Sequence, residues 1–457
     1  MKKFINLFYP FILGATLLVS CKDEKKEPSP VTPPIEIVSP EFKAALQSKG
    51  FNFDNKGRLL VDEKVKSTTK LDLSNSKLKE LKGLELFPKL EEVNLSNNKF
   101  EKEFDFSSLP HTVVSVDLRN NPLYEFKGLV DVKTQENGDE IVKVLRPLKK
   151  LYLPHTAQYD CNQLVYVYEQ NKNGSLDMQI QNNKNELVKY TTKREVPDAN
   201  VRKELKKQFP SLFDGESIDI SKRMIKALER DGGIELMSRK NGPFYDDFTG
   251  VEYVIHNRTY NGRSISLTST GKKENVMPYL KINSKITLLA LENIDTPNGI
   301  DLSNATSLVQ YVLINNKDIT TLDVSASKWL GQRNAKEEFN ILANASFLKA
   351  ENCPKLTEIK FPKAAKYLCC LYAVNLPMLK EVDLTQFDVM YSLDLIKLSS
   401  NTSIKYLSPK KFMKSIEQEP CDDGTMYVKV SEDISNRPET KAFLQKYSKN
   451  CKVSVVK

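Results

Sequence analysis

Three histidines and one tryptophan are spread over 457 residues, and this scarcity bears on several chemistries at once. His111, His155 and His256 each stand alone, without an HExxH run or paired Cys/His spacing, so no metal site is expected on them. The chain has no phosphate-binding loop, no dinucleotide glycine fingerprint and no GxSxG elbow. Serines and carboxylates are plentiful, but no spacing among them selects a catalytic set. A non-enzymatic protein with no cofactor and no metal is therefore expected. Charge of one sign is also lacking: the formal net charge is +9, and acids are interleaved with the lysines throughout. That pattern reads as a solvated surface with no nucleic-acid partner. With 40% hydrophobic and 28% charged residues, the composition is that of a folded body.

The one long apolar run lies at the start. Basic MKK precedes FINLFYPFILGATLLVS, and a small residue, Ser20, stands before Cys21. These are the parts of an export signal, residues 1–20. The run contains Pro10 and Gly14 and is short for a helix crossing a core of about 30 Å. The mature chain is expected to be exported without a transmembrane helix of its own. KDEKKEPSPVTPPIEIVSP follows, charged and then proline-rich, and reads as an extended tether over 21–40. Residues 41–66 read as an N-terminal cap: a short helix, EFKAALQSK, stops at Gly50, and FNFDNKG then turns a hairpin. Lys56 stands where a calcium loop would want an oxygen.

The next stretch repeats. Leu71-x-Leu73-x-Asn75-x2-Leu78 recurs as Val93-x-Leu95-x-Asn97-x2-Phe100 and as Val116-x-Leu118-x-Asn120-x2-Leu123. This is the period and pattern of a leucine-rich repeat, whose coils bury their apolar faces only by stacking. The asparagine is expected at the bend after each strand, where its amide satisfies backbone groups of adjacent coils. Leu151-Tyr152-Leu153 reads as a fourth strand and closes a first block over 67–156. A second block, 279–410, holds Asn315-x3-Ile319-x2-Leu322, Asn352-x3-Leu356-x2-Ile359 and Asn375-x3-Leu379-x2-Val382, with an insertion near KWLGQRNAKEEFN. Between them, 157–278 loses the pattern. It reads as a mixed α+β insertion, the alternative being a set of degenerate coils, with helices over Asp198 to Phe209 and Ser221 to Arg230, and strands in SLDMQIQ, VEYVIHN and RSISLTS. Residues 411–457 read as a strand, helix, strand cap. The expected fold class is α/β: a leucine-rich repeat solenoid in two blocks with an insertion and terminal caps.

LDLSNSKLKELKGLELFPKLEEVNLSNNKF resembles the leucine-rich repeats of internalin-type bacterial surface proteins. ITTLDVS, ENCPKLTEIKF and the MYVKV-plus-helix ending are similar to BspA-like repeat lipoproteins of Bacteroidetes-type bacteria. Together these resemblances cover roughly half the chain and imply a binding scaffold of unspecified ligand. Leu18-Val19-Ser20-Cys21 resembles a lipobox, which implies cleavage before Cys21 and lipidation of its thiol. Lys22-Asp23-Glu24 is similar to the signal that sends such lipoproteins to the outer face of the cell. The resemblance thus implies an outer-membrane lipid anchor, exposed at the surface.

Candidate ligand-binding residues follow from strand geometry, since the middle residue of each Leu-x-Leu strand must face out. These are Asp72, Asn94, Asp117 and Tyr152, flanked by Arg119 and Lys150. The expected partner is an unidentified protein. The alternative is a glycan, in an accessory lipoprotein for polysaccharide uptake, gripped by tyrosines 159, 166, 168, 245, 253 and 260. Cys421 and Cys451 precede the two terminal strands and are a candidate disulfide if those strands are neighbours. Cys369 and Cys370 read as buried apolar thiols, and Trp329 as either a contact residue or an anchor of the inserted loop.

Overall fold

The computed structural model describes residues 35–36, 39–135, 140–171, 173–225, 233–239, 242–332, 346–415 and 420–457. The signal segment, most of the tether, and Cys21, Lys22, Asp23 and Glu24 lie outside the described residues. The described chain is mixed α/β, with many strands and few, short helices. Among these residues no helix is long and apolar enough to cross a membrane.

Ser39 caps the first helix, Pro40–Ser48, by accepting from the Phe42 N–H. In FNFDNKG the Asp54 carboxylate accepts from the N–H groups of Lys56 and Arg58 and pairs with the Arg58 guanidinium at 2.7 Å. Phe53 lies opposite Leu59, so this run is a hairpin turn. Strands Lys70–Asp72, Glu92–Asn94, Ser115–Asp117, Lys150–Leu153 and Asp177–Gln181 then lie side by side in parallel, and Leu187–Lys189 closes this sheet antiparallel. Leu71, Val93, Val116, Leu151 and Met178 stack as one buried rung. A one-residue slip would turn that rung to solvent, which fixes the register.

The asparagines divide their work differently from the sequence expectation. Asn75, Asn97 and Asn120 take left-handed backbone, with φ of 57°, 56° and 55°, a conformation asparagine tolerates better than most residues. The next residue does the bridging between coils. Buried Asn98 donates to the carbonyls of Leu73 and Leu95 at 2.9 Å and accepts from the N–H groups of Ser76 and Leu78 at 3.0 Å. Asn121 repeats this one coil later, on Leu95 and Leu118. In the second block Asn316 does the same work: it donates to the Ile294 carbonyl and accepts from the Asp318 and Ile319 N–H groups. Cys353 fills the matching site in the next coil, fully buried, its thiol on the Glu351 carbonyl. The left-handed asparagines form their own chain on the side: Asn315 donates to Asn293 at 2.7 Å, Asn352 to Asn315 at 2.8 Å and Asn375 to Asn352 at 2.8 Å.

The second sheet is nine-stranded and parallel in chain order among the described residues, from Gly233–Met237 and Ser264–Thr268 through Leu288–Glu292, Gln310–Ile314, Phe347–Glu351, Tyr367–Leu376 and Val389–Leu398 to Met426–Ser431 and Cys451–Val456. Leu289, Tyr311, Leu348, Leu371 and Leu393 form its buried rung. Short parallel pairs, Thr321–Asp323 with Glu358–Lys360 and Glu381–Asp383 with Ser403–Lys405, return the chain between those strands.

This arrangement corrects the insertion. Asp177–Gln181 belongs to the first sheet, while Gly233–Met237 and Ser264–Thr268 already belong to the second, in register with its later strands. The stretch between the sheets is shorter than 157–278 and holds helix Ala199–Gln208, capped by Asp198, with a small antiparallel sheet of Lys193–Arg194, Phe213–Asp214 and Ser217–Asp219. VEYVIHN is not a strand but contains the helix Val251–Ile255, all five of whose side chains are buried, so alternation is no guide there. Residues 221–225 hold a turn and a bend and no helix, and 226–230 lie outside the described residues. At the C-terminus, helices Glu432–Ser435 and Pro438–Lys446 link the last two strands. The final strand covers its neighbour but leaves Val453 and Val455 about half exposed, so that end of the core is only partly closed.

Candidate functional site

Asp72, Asn94, Asp117 and Tyr152 stand in direct register, with Gln179 next. Together with Lys70, Glu92, Ser115 and Lys150 they line an open groove of about 360 Å³. Much of their capacity is already committed. Asp72, Asn94 and Asp117 each accept, through Oδ1, the N–H of the residue two positions on, at 3.0–3.1 Å. The Ser74 N–H holds the Asp72 carboxyl below the usual carboxylate range. Arg119 clamps Asp117 with Nη2 at 2.6 Å and lies 5.7 Å from the centre of the Tyr152 ring, and Lys150 lies 5.4 Å from it. The Tyr152 hydroxyl donates to Asp177 at 3.0 Å, and Lys70 pairs with Glu92 at 2.8 Å. The groove is a charge-compensated strip, suited to hydrogen bonding at its remaining lone pairs and lacking a strong field of one sign.

The outward middle residues of the first block are matched by a second face, which its repeat pattern alone does not reveal. On the outer side of the nine-stranded sheet, Phe347, Cys370, Ser392 and Tyr427 form one row, and Lys349, Tyr372, Asp394 and Lys429 the next. Phe347 packs edge-on against Tyr372, with ring centres 5.2 Å apart, and Tyr391 against Tyr427, also at 5.2 Å. Burial pushes the Asp394 carboxyl up, while the Lys429 and Lys349 ammonium groups pull it back. FLKAE and MYVKV carry this signal by the same alternation that exposed the first row. Trp329 is half-buried, its backbone N–H on the Ser327 hydroxyl at 3.2 Å, and residues 333–345 of its loop lie outside the described residues.

A cleft of about 640 Å³ opens where the two cores meet. Tyr124 stacks on Tyr279 at 4.6 Å, and Glu125 accepts from the Tyr279 hydroxyl at 2.5 Å and from Lys281 at 2.6 Å. Asp160 accepts three backbone N–H groups, from Phe126, Asn162 and Leu164. Burial pushes the Cys161 thiol up to about 12, which keeps it protonated and a poor nucleophile. Beside the cleft, Glu252 is fully buried: Oε2 accepts the Gly250 N–H at 3.0 Å, Oε1 has no partner among the described residues, and desolvation pushes its carboxyl up to about 8. His256 accepts the Lys281 N–H at Nε2, and burial and the Lys281 charge hold it down at about 4. These groups serve the junction of the two cores.

The tyrosines offered for a glycan turn inward. Tyr159, Tyr166, Tyr245, Tyr253 and Tyr260 are buried, and Tyr168 is half-buried beside Tyr190. Cys421 and Cys451 are separate thiols although their strands are neighbours. Cys421 is held opposite Phe412, its thiol on Asp423, while Cys451 pairs with Met426 at the start of the last strand.

No family model matches this chain, and no curated protein matches it. Among solved structures the chain aligns with a leucine-rich repeat protein of Leptospira interrogans at 11% identity, over 85% of this chain and 96% of that one, with a TM-score of 0.13. At that score the likeness carries no argument.

Proposed function

We propose that this chain is a lipid-anchored leucine-rich repeat protein of the outer membrane, exposed at the cell surface, that binds a protein partner without catalysis. The observation that carries the reading is the outer face of the second sheet, where Phe347, Tyr372, Tyr391 and Tyr427 lie among Lys349, Asp394 and Lys429. Aromatic side chains on a rigid face, edged by both signs of charge, are the usual makings of a protein interface. The groove along Asp72, Asn94, Asp117 and Tyr152 gives a second, polar strip for specificity. Protein is favoured over glycan because most of the tyrosines that would form sugar platforms are in the core.

Pull-down from a mixture of surface and host proteins tests the partner. Tyr372→Ala with Tyr427→Ala is expected to weaken capture by tenfold or more, about 1.4 kcal/mol, while the loss of the two edge-on ring pairs costs only about 1–3 kcal/mol of stability and leaves the chain folded at the assay temperature. A blank pull-down beside a positive polysaccharide array would replace protein by glycan. For the anchor, Cys21→Ser is expected to release or mislocalise the protein while its melting temperature stays the same. Protease added to intact cells should shave the wild type, and full protection would refute surface exposure.

A further inference from the structure

Consecutive residues in a strand normally point to opposite faces, yet Cys369 and Cys370 do not. Leu368 and Leu371 both enter the core cluster, and neither cysteine does. In the neighbouring strand Met390 and Leu393 enter the core, while Tyr391 and Ser392 between them stay out of it. Here the ladder between Tyr367–Leu376 and Val389–Leu398 pairs Leu368 with Met390 and Cys370 with Ser392 and skips the pair Cys369 and Tyr391. The two sulfurs lie side by side, 3.4 Å apart, on the side away from the core cluster, where the residues are 5% and 8% exposed. Among the described residues no cluster of three metal-ligating side chains includes them, so the pair itself is the chemical unit.

We propose that Cys369 and Cys370 are a vicinal dithiol that closes to a disulfide by exchange with a low-molecular-weight disulfide. The contact between the two sulfurs is symmetric, since either thiol can donate to the other. The roles follow from a third group: the Tyr372 hydroxyl bonds Cys370 and favours its thiolate. Cys370 attacks first: its thiolate bonds to one sulfur of the oxidant and expels the other half as a thiolate. Cys369 then gives up its proton, attacks the Cys370 sulfur of that mixed disulfide and expels the second half. Two protein thiols are oxidised, one disulfide is reduced to two thiols, and the two protons leave with those thiols. Closure needs the sulfurs to approach from 3.4 Å to about 2.05 Å. Neighbouring Cα atoms are ~3.8 Å apart, less than the usual span of a disulfide, so the closed ring is strained and should reopen readily.

The experiment treats the folded full chain with oxidised glutathione, traps remaining thiols with iodoacetamide, and maps the peptide holding residues 369–370 by mass spectrometry. The expected result is a peptide that has lost two hydrogens and carries neither glutathione nor alkyl groups, and that regains both thiols in mild reductant. Cys369→Ser is expected to stop at a stable glutathione adduct on Cys370, because the resolving thiol is gone. Two alkylatable thiols at every oxidant concentration, or a stable glutathione adduct on the wild type, would overturn the proposal.

Discussion

Replacing Asn98 by alanine is expected to destabilise the first sheet by about 3–6 kcal/mol, because each buried backbone group left unpaired costs ~1–3 kcal/mol. Asn98 is the side-chain partner of three such groups, the Leu73 carbonyl and the N–H groups of Ser76 and Leu78, while the Leu95 carbonyl, which it also serves, keeps Asn121. Alanine fills less of that site and offers none of them a partner. Asn97→Ala is the matched control. Asn97 is exposed and left-handed, and its side chain takes one bond from Asn120. Its loss should cost only about 1–2 kcal/mol, mostly from the backbone conformation. Urea unfolding followed by circular dichroism compares them, and an Asn98→Ala midpoint no lower than that of Asn97→Ala would contradict the assignment. Trp329, the single tryptophan, lies in the second block, so its fluorescence reports whether the loss spreads beyond the first sheet.

Glu252→Gln is expected to remove a pH dependence. The native carboxyl, near 8, keeps its proton where the unfolded one, near 4.5, has lost it. Between those values the native state binds more protons, so stability falls as pH rises, and the loss is complete above about 8. His256 acts oppositely: held at about 4 from an ordinary 6.5, it makes stability rise with pH between those two values. The two slopes offset each other from about 4.5 to 6.5, and the net fall lies between about 6.5 and 8. Glutamine keeps the acceptor for the Gly250 N–H and cannot ionise. The variant should therefore match the wild type near pH 5 and exceed it by a few kcal/mol near pH 9. Parallel stability profiles from pH 5 to 9 would show that Glu252 does not ionise as described.

The first block was legible because four positions repeat together, and each repeat places an apolar rung, an outward residue and a left-handed asparagine at fixed offsets. The bridging residue was not, since Asn98, Asn121, Asn316 and Cys353 differ in kind and follow the more regular asparagine by one position. RSISLTS reads as a strand, but that Ser264–Thr268 and Gly233–Met237 belong to the second sheet was hidden for a related reason: Ser269 holds the place after its strand that Asn293 fills in the next coil. Helix Val251–Ile255 is buried all round, and a buried helix leaves no periodic signal. Of the candidate site, the row from Asp72 to Tyr152 could be read from alternation alone. Its internal pairing could not, because Asp117 with Arg119 and Tyr152 with Asp177 depend on which rotamers neighbouring coils allow. The pairing of Cys369 with Cys370 on one face rests on a local break in the ladder between two adjacent strands, which no spacing announces.

The most direct test of the proposed recognition face is site-specific photo-crosslinking on intact cells. A photoreactive side chain at position 372, on the outer face of the second sheet, is compared with one at exposed Lys363, beyond the returning strand Glu358–Lys360. A discrete protein adduct at 372 and none at 363 is the expected result. Equal labelling at both positions, or adducts at 363 alone, would contradict recognition through that face.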